Sequence, residues 1–78
     1  MFIEIFDEDL DDVIINCNEI RYITTSFRRL SNSDGRITGD VGSINFRMTE
    51  DGNFCENFLR KEDWADRLRE IKRLLKVE

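Results

Sequence analysis

Residues 62–76 read EDWADRLREIKRLLK and carry the clearest periodic pattern in the chain. Four apolar side chains recur at the spacing i, i+4, i+7 and i+11, the stripe of an amphipathic helix: Trp64, Leu68, Ile71 and Leu75. Each contributes about 1.5–3 kcal/mol when it is buried, whereas an ion pair on a helix surface contributes only about 0.2–0.5 kcal/mol. The stripe therefore predicts a C-terminal helix that packing holds against the rest of the protein.

The residues before this helix predict strands, because short apolar runs alternate with polar residues or are rich in β-branched side chains. Five such runs lie at residues 2–6, 13–17, 20–27, 41–48 and 53–59. Residues 7–12 are crowded with carboxylates and predict a solvated turn, and residues 28–42 predict a mobile, glycine-bearing loop. The pattern predicts a single α+β domain over residues 1–78, a curved antiparallel β-meander of four or five strands covered by one C-terminal amphipathic helix.

The hairpin between the last two strands has two plausible registers, because the length of its loop fixes which side chains share a face. A two-residue loop would place the phenylalanines of the last strand among polar neighbours. A three-residue loop at residues 50–52 instead sets Met48 opposite Phe54 and Ile44 opposite Phe58 on one apolar face. We therefore expect the three-residue loop.

Glu56 does not fit this apolar face, because the expected register places it opposite Phe46. Moving a carboxylate from water into an apolar environment without a cationic or hydrogen-bonding partner costs several kcal/mol of free energy. Glu56 must therefore lie at the margin of the sheet or meet a cationic partner.

The composition argues against most catalytic sites. The 78 residues are 40% hydrophobic and 37% charged, with a formal net charge of -5 and no histidine. Histidine is the commonest general base near neutral pH and a common metal ligand. Cys17 and Cys55 lie too far apart for a C-x-x-C pair, so we expect free thiols. We expect no enzymatic activity, metal site, cofactor or small-molecule substrate.

The cellular location is predicted from the lack of a membrane-spanning run and of a signal peptide in this sequence. No apolar run reaches the roughly 20 residues that cross a bilayer, and the N-terminus lacks the basic and apolar regions of a signal peptide. We therefore expect a cytoplasmic protein without a membrane partner.

Basic side chains are the candidate partner contacts. Arg28, Arg29 and Arg36 give the predicted loop a local positive charge, and mobile loops often carry binding. Arg69 and Arg73 share a flank of the predicted helix, where a basic row can contact phosphates. The alternative for the helix is a solvated flank whose bases pair with its own acids.

Residues 15–23 read INCNEIRYI and resemble the I-N-x-x-x-I-x-x-I signature of the small FlbD-like proteins, which occur in flagellar operons. Residues 44–48, Gly52 and the acidic start of the helix are similar to the strand, glycine turn and amphipathic helix of that family. The resemblance covers about two-thirds of the chain, and residues 28–42 are an insertion relative to it. It implies a curled antiparallel meander with one helix and a non-enzymatic accessory role, with motility as one setting.

The functional hypothesis is a non-enzymatic accessory or adaptor protein, bacterial or from a phage, that binds another macromolecule. A small sheet leaves at least one edge unpaired, so capture of a strand from a partner protein or self-association as a homodimer is expected. Two alternatives stay open, a nucleic-acid-associated accessory protein and an acidic nucleic-acid mimic that binds a basic protein.

Overall fold

The computed structural model describes residues 1–7, 11–50 and 52–76. Within these residues the chain forms five strands, a short 3₁₀ turn at Cys17–Glu19 and one α-helix. The elements are β1 (Phe2–Asp7), β2 (Asp11–Asn16), β3 (Ile20–Ser31), β4 (Ile37–Met48), β5 (Asn53–Phe58) and α1 (Lys61–Leu74). The predicted α+β class, with antiparallel strands and a C-terminal helix, is confirmed.

The strands form two antiparallel sheets. β1 and β2 pair as a two-stranded ribbon, and β3, β4 and β5 form a sheet in which β4 is central. Side chains alternate across the ribbon, so Ile3 and Ile5 of β1 and Ile15 of β2 are buried on its inner face. A two-stranded ribbon is marginal on its own. Burial of its inner face therefore ties it to the rest of the protein.

The core lies between the inner ribbon face, β4 and α1. Ile44 and Phe46 of β4 are fully buried, and Ile71 of α1 is 2% exposed. The other three stripe residues, Trp64, Leu68 and Leu75, are partly buried and pack against this core. The packed helix predicted from the stripe is confirmed.

Trp64 fits over a glycine of the central strand. A Cβ atom at Gly42 would lie 2.6 Å from Cδ1 of Trp64 and 2.9 Å from Cδ2 of Phe27. The two aromatic rings contact each other at 5.2 Å between centroids, and the indole Nε1 donates to the carbonyl of Ser43 at 3.2 Å. Gly42 is therefore required by the close approach of the indole to the sheet.

The predicted mobile loop at residues 28–42 is wrong. β3 continues to Ser31 and β4 begins at Ile37, so the segment is a hairpin arm with a short turn. In that turn the Asn32 side chain accepts hydrogen bonds from the amides of Asp34 and Arg36, each at 3.0 Å, and Gly35 has a φ of 79°. The glycines of this segment suggested a loop because glycine has a low strand propensity. The backbone hydrogen bonds between β3 and β4 outweigh that propensity.

The predicted register of the last hairpin is wrong by two residues. Phe46 pairs with Phe54 and Ile44 pairs with Glu56, and Gly42 rather than Ile44 lies opposite Phe58. Because the error is an even number, every side chain stays on the predicted face. The predicted register maximises apolar contacts between β4 and β5 alone. In the structure these side chains also contact α1, and that contribution is not visible in the pattern of the two strands.

The predicted solvated turn at residues 7–12 is partly wrong. Asp7 belongs to β1 and is buried, and β2 already begins at Asp11. Residues 8–10 lie outside the described residues.

Candidate binding groove at the edge of β3

β3 is an edge strand in the part of the chain that the structure describes. It pairs with β4 along one side and with no strand along the other. An edge of this kind presents backbone amides and carbonyls that can pair with an added strand. The edge runs for the 12 residues of β3.

An apolar groove follows this edge. The helix packs mainly over β4 and β5, and on the inner face of β3 Thr25 stays exposed between the partly buried Ile23 and Phe27. The groove has a volume of about 440 Å³ and is formed by β3 and α1 residues: Ile20, Tyr22, Ile23, Thr25, Leu68, Ile71, Lys72 and Leu75. We refer to it as the β3–α1 groove.

The groove exists because a small side chain lies where a large one would fill it. Thr25 of β3 pairs with Ile44 of β4, one step along the inner face from the pair of Ile23 with Phe46. Leu68 and Ile71 belong to the stripe of α1 and form the opposite wall. A threonine is too small to reach them, and a hollow remains between strand and helix.

Charge beside the groove is mostly positive. Lys72 is the charged member of the groove lining. Tyr22 also lines a smaller polar depression of about 240 Å³, together with Arg21, Arg47 and Glu50. Arg21, Arg47 and Lys72 have no ion pair among the described residues. Lys72 therefore lies in the groove itself, whereas Arg21 and Arg47 line the separate polar depression, and Arg47 is on the opposite face of the sheet from the inward-facing Phe46.

The wall of the groove is fixed by a buried ion pair behind it. Arg67 of α1 contacts both carboxylate oxygens of Glu56 on β5, at 2.9 Å from Nε to Oε1 and 3.1 Å from Nη2 to Oε2. Arg67 also donates to the carbonyl of Glu4 at 2.7 Å, and the amide of Phe6 donates to Glu56 Oε2 at 3.0 Å. The pair joins β1, β5 and α1, and of the two environments expected for Glu56 the structure shows the cationic partner.

Arg67 keeps its positive charge in this position. Burial disfavours the charged guanidinium, but the hydrogen bonds and charges of Glu56 and Glu70 outweigh that effect and raise the pKa of Arg67 above its ordinary value. Arg67 is therefore positively charged at neutral pH and at every lower pH.

The arginines singled out from the sequence fall into two separate groups. Arg28 and Arg29 are neighbours on β3, and Arg36 ends the turn of the arm. Arg29 pairs with Asp40 at 3.3 Å. Arg28 and Arg36 are exposed and have no ion pair among the described residues.

On the helix, Arg69 pairs with Asp66, whereas Arg73 is exposed and unpaired within residues 11–50 and 52–76. The alternative of a self-paired helix flank therefore holds for Arg69 and not for Arg73. Sequence reasoning did not identify the β3–α1 groove. The only signal was the small Thr25 between apolar positions of a strand, and that signal is weak.

Two absences among the described residues complete the site. No group of three or more histidine, cysteine, aspartate or glutamate side chains is placed to hold a metal ion, and Cys17 and Cys55 form no disulfide with each other. No helix in this part of the chain combines the length and apolar character needed to span a bilayer.

Comparisons with protein-family models, with curated proteins and with solved structures find no match for this chain. The resemblance of residues 15–23 to FlbD-like proteins therefore stays a prediction.

Proposed function

We propose that this protein is a non-enzymatic adaptor that takes an extended segment of a partner protein onto the free edge of β3. One observation carries the proposal: an unpaired strand edge runs beside an apolar groove walled by a helix. In strand addition, main-chain hydrogen bonds supply affinity and pockets beside the edge select side chains. The edge of β3 and the β3–α1 groove supply these two parts.

The charge beside the groove favours an acidic partner segment. Lys72 lines the groove, and Arg21 and Arg47 line the polar depression next to it. An extended segment that alternates apolar and acidic side chains would place its apolar residues over the groove and its carboxylates near these cations. A basic segment would meet unpaired like charges.

The nucleic-acid alternatives have weaker support. An accessory protein for nucleic acid would use Arg28 and Arg36 on the arm, but Arg29 is paired within the protein and the net charge is -5. An acidic nucleic-acid mimic would use residues 1–20, which contain seven acids and no lysine or arginine. A cytoplasmic location belongs with the adaptor proposal, because Cys17 and Cys55 form no disulfide with each other.

The test uses a short synthetic peptide of alternating valine and glutamate, titrated into the labelled protein and followed by amide NMR. We expect shifts at groove residues and slowed amide exchange along β3. A peptide of the same length and charge, in which proline replaces every second valine, cannot form the strand ladder and serves as the peptide control.

Two substitutions on adjacent residues separate the groove from the strand. Thr25→Tyr fills the groove, whereas Thr24→Tyr puts the same side chain on the other face of β3. We expect Thr25→Tyr to weaken binding at least about tenfold and Thr24→Tyr to leave it within about twofold. Equal binding of the proline peptide, or equal effects of the two variants, would contradict the proposal.

A further inference from the structure

The outer face of the ribbon is a second exposed apolar surface. Phe2 and Phe6 of β1 are 69% and 64% exposed, and Ile14 of β2 is 66% exposed. Ile14 pairs with Glu4, which lies between the two phenylalanines along β1. The three apolar side chains therefore form one patch rather than three scattered residues, and clustered exposure of this kind marks an interaction surface.

The surroundings of this patch are acidic. Glu4 and Asp12 share the outer face with it, because Asp12 pairs with Phe6 and Glu4 pairs with Ile14. Residues 1–20 contain seven acids and no lysine or arginine. The outer ribbon face, defined as Phe2, Glu4, Phe6, Asp12 and Ile14, thus combines apolar contact area with negative charge.

The β3–α1 groove has the complementary properties. It is apolar and carries Lys72, and Arg21 lines the neighbouring depression that shares Tyr22 with the groove. A groove of about 440 Å³ falls in the size range of pockets that enclose drug-sized groups, so it has room for a phenyl ring. The two surfaces cannot meet within one molecule, because the opposite face of the ribbon is packed into the core through Ile3 and Ile5.

We propose that the protein self-associates head to tail, with the outer ribbon face of one molecule docked in the β3–α1 groove of another. Phe2 or Phe6 enters the groove, and Glu4 and Asp12 approach Lys72 and Arg21 of the second copy. The interface is heterologous, so one molecule of a pair keeps a free groove, the other keeps a free ribbon face, and the contact can repeat. The proposal rests on the groove used in the proposed function, and a bound copy would compete with a partner segment.

Sedimentation velocity of the full chain and of two variants tests the proposal. The ribbon variant carries Phe2→Ser and Phe6→Ser, and the groove variant carries Thr25→Tyr; all three positions are exposed, so the fold is retained. We expect the unmodified protein to gain mass with concentration up to about 0.5 mM. Each variant alone should remain monomeric, and an equimolar mixture should form a heterodimer, because one partner keeps its groove and the other its ribbon face.

Charge reversal gives an independent readout. Glu4→Lys and Lys72→Glu should each weaken self-association at least about tenfold, and mixing the two variants should restore it, since the reversed ribbon then meets a reversed groove. Raising the salt from about 0.05 to 0.5 M should weaken association of the unmodified protein. Thr24→Tyr is the control and should associate like the unmodified chain.

Three results would overturn the inference. These are a monomeric unmodified protein at about 0.5 mM, self-association that persists in the groove variant, and a mixture of the two variants that stays monomeric. A protein that is monomeric but still binds the valine–glutamate peptide would retain its proposed function and lose this inference. Self-association through both surfaces without peptide binding would support this inference and contradict the proposed function.

Discussion

Glu56 and Arg67 show how one misplaced charge can organise several elements. Glu56 is 5% exposed on a face that is otherwise apolar, and Arg67 reaches it from the helix with two hydrogen bonds. Replacing such a pair with apolar residues can be neutral, but removing one partner leaves the other buried without compensation. The pair therefore fixes the position of α1 on β5 more than it adds net stability.

Arg67→Leu should lower the free energy of unfolding by about 3–5 kcal/mol, because Glu56 then keeps a buried charge without its cation. Asp66→Ala is the control, since it breaks only the exposed pair with Arg69 and should cost under about 1 kcal/mol. Urea denaturation followed by circular dichroism measures both. Equal losses in the two variants would show that burial of the Glu56 pair has no energetic consequence.

The raised pKa of Arg67 sets the sign of its pH dependence. A folded-state pKa above the unfolded value contributes stability that is complete below the unfolded pKa and disappears as pH rises through the folded one. Both values lie far above neutrality. Titration of Arg67 therefore makes no contribution to changes in stability between about pH 6 and 9.

Gly42→Ala should destabilise the protein by about 1–3 kcal/mol, because the new methyl group would overlap the indole of Trp64 and the ring of Phe27. Gly39→Ala is the matched control on the same strand, where a Cβ meets no atom within 4 Å. Trp64 is the only tryptophan of the chain, so its fluorescence reports the displacement directly. An unchanged emission spectrum and midpoint in Gly42→Ala would contradict the close packing.

The hairpin arm formed by the ends of β3 and β4 is more exposed than the strands of the core. Residues 28–38 are all exposed, and the arm is held by its ladder and by the turn that Asn32 closes. An element with few apolar contacts opens locally at a lower free energy than the core. The arm should therefore exchange its amides faster than the body of β4.

Asn32→Ala should speed amide exchange along the arm at least about tenfold while changing global stability by less than about 1 kcal/mol. The reason is that the Asn32 side chain satisfies two turn amides that no core residue contacts. Ser33→Ala serves as the control in the same turn. Hydrogen exchange measured by NMR checks the prediction, and a loss of global stability comparable to that of Gly42→Ala would contradict it.

For the whole molecule, stability depends on the helix closing the core. A chain of 78 residues has a net stability of only about 4–12 kcal/mol. The inner ribbon face, β4 and α1 share one cluster of buried side chains. Loss of the helix from that cluster would expose both sheets at once.

Leu68→Asp should therefore abolish the cooperative thermal transition, because it replaces an apolar contact between α1 and the core with a carboxylate that loses part of its hydration. Arg73→Asp places the same side chain at an exposed site on the same helix and should keep the transition. Differential scanning calorimetry distinguishes the two. A cooperative transition in Leu68→Asp would show that the helix is not needed to close the core.

The sequence alone determined the α+β class, the helix stripe, the faces of the paired strands and the misfit of Glu56 on an apolar face. These features follow from local spacing, because a period of two or of 3.6 residues assigns side chains to faces within one element. The tertiary structure alone decided the register of the last hairpin, the strand pairing within residues 28–42, the partner of Glu56 and the β3–α1 groove. Each of these features depends on which distant elements meet. Thr25 lines a groove only because α1 packs beside it and does not cover it.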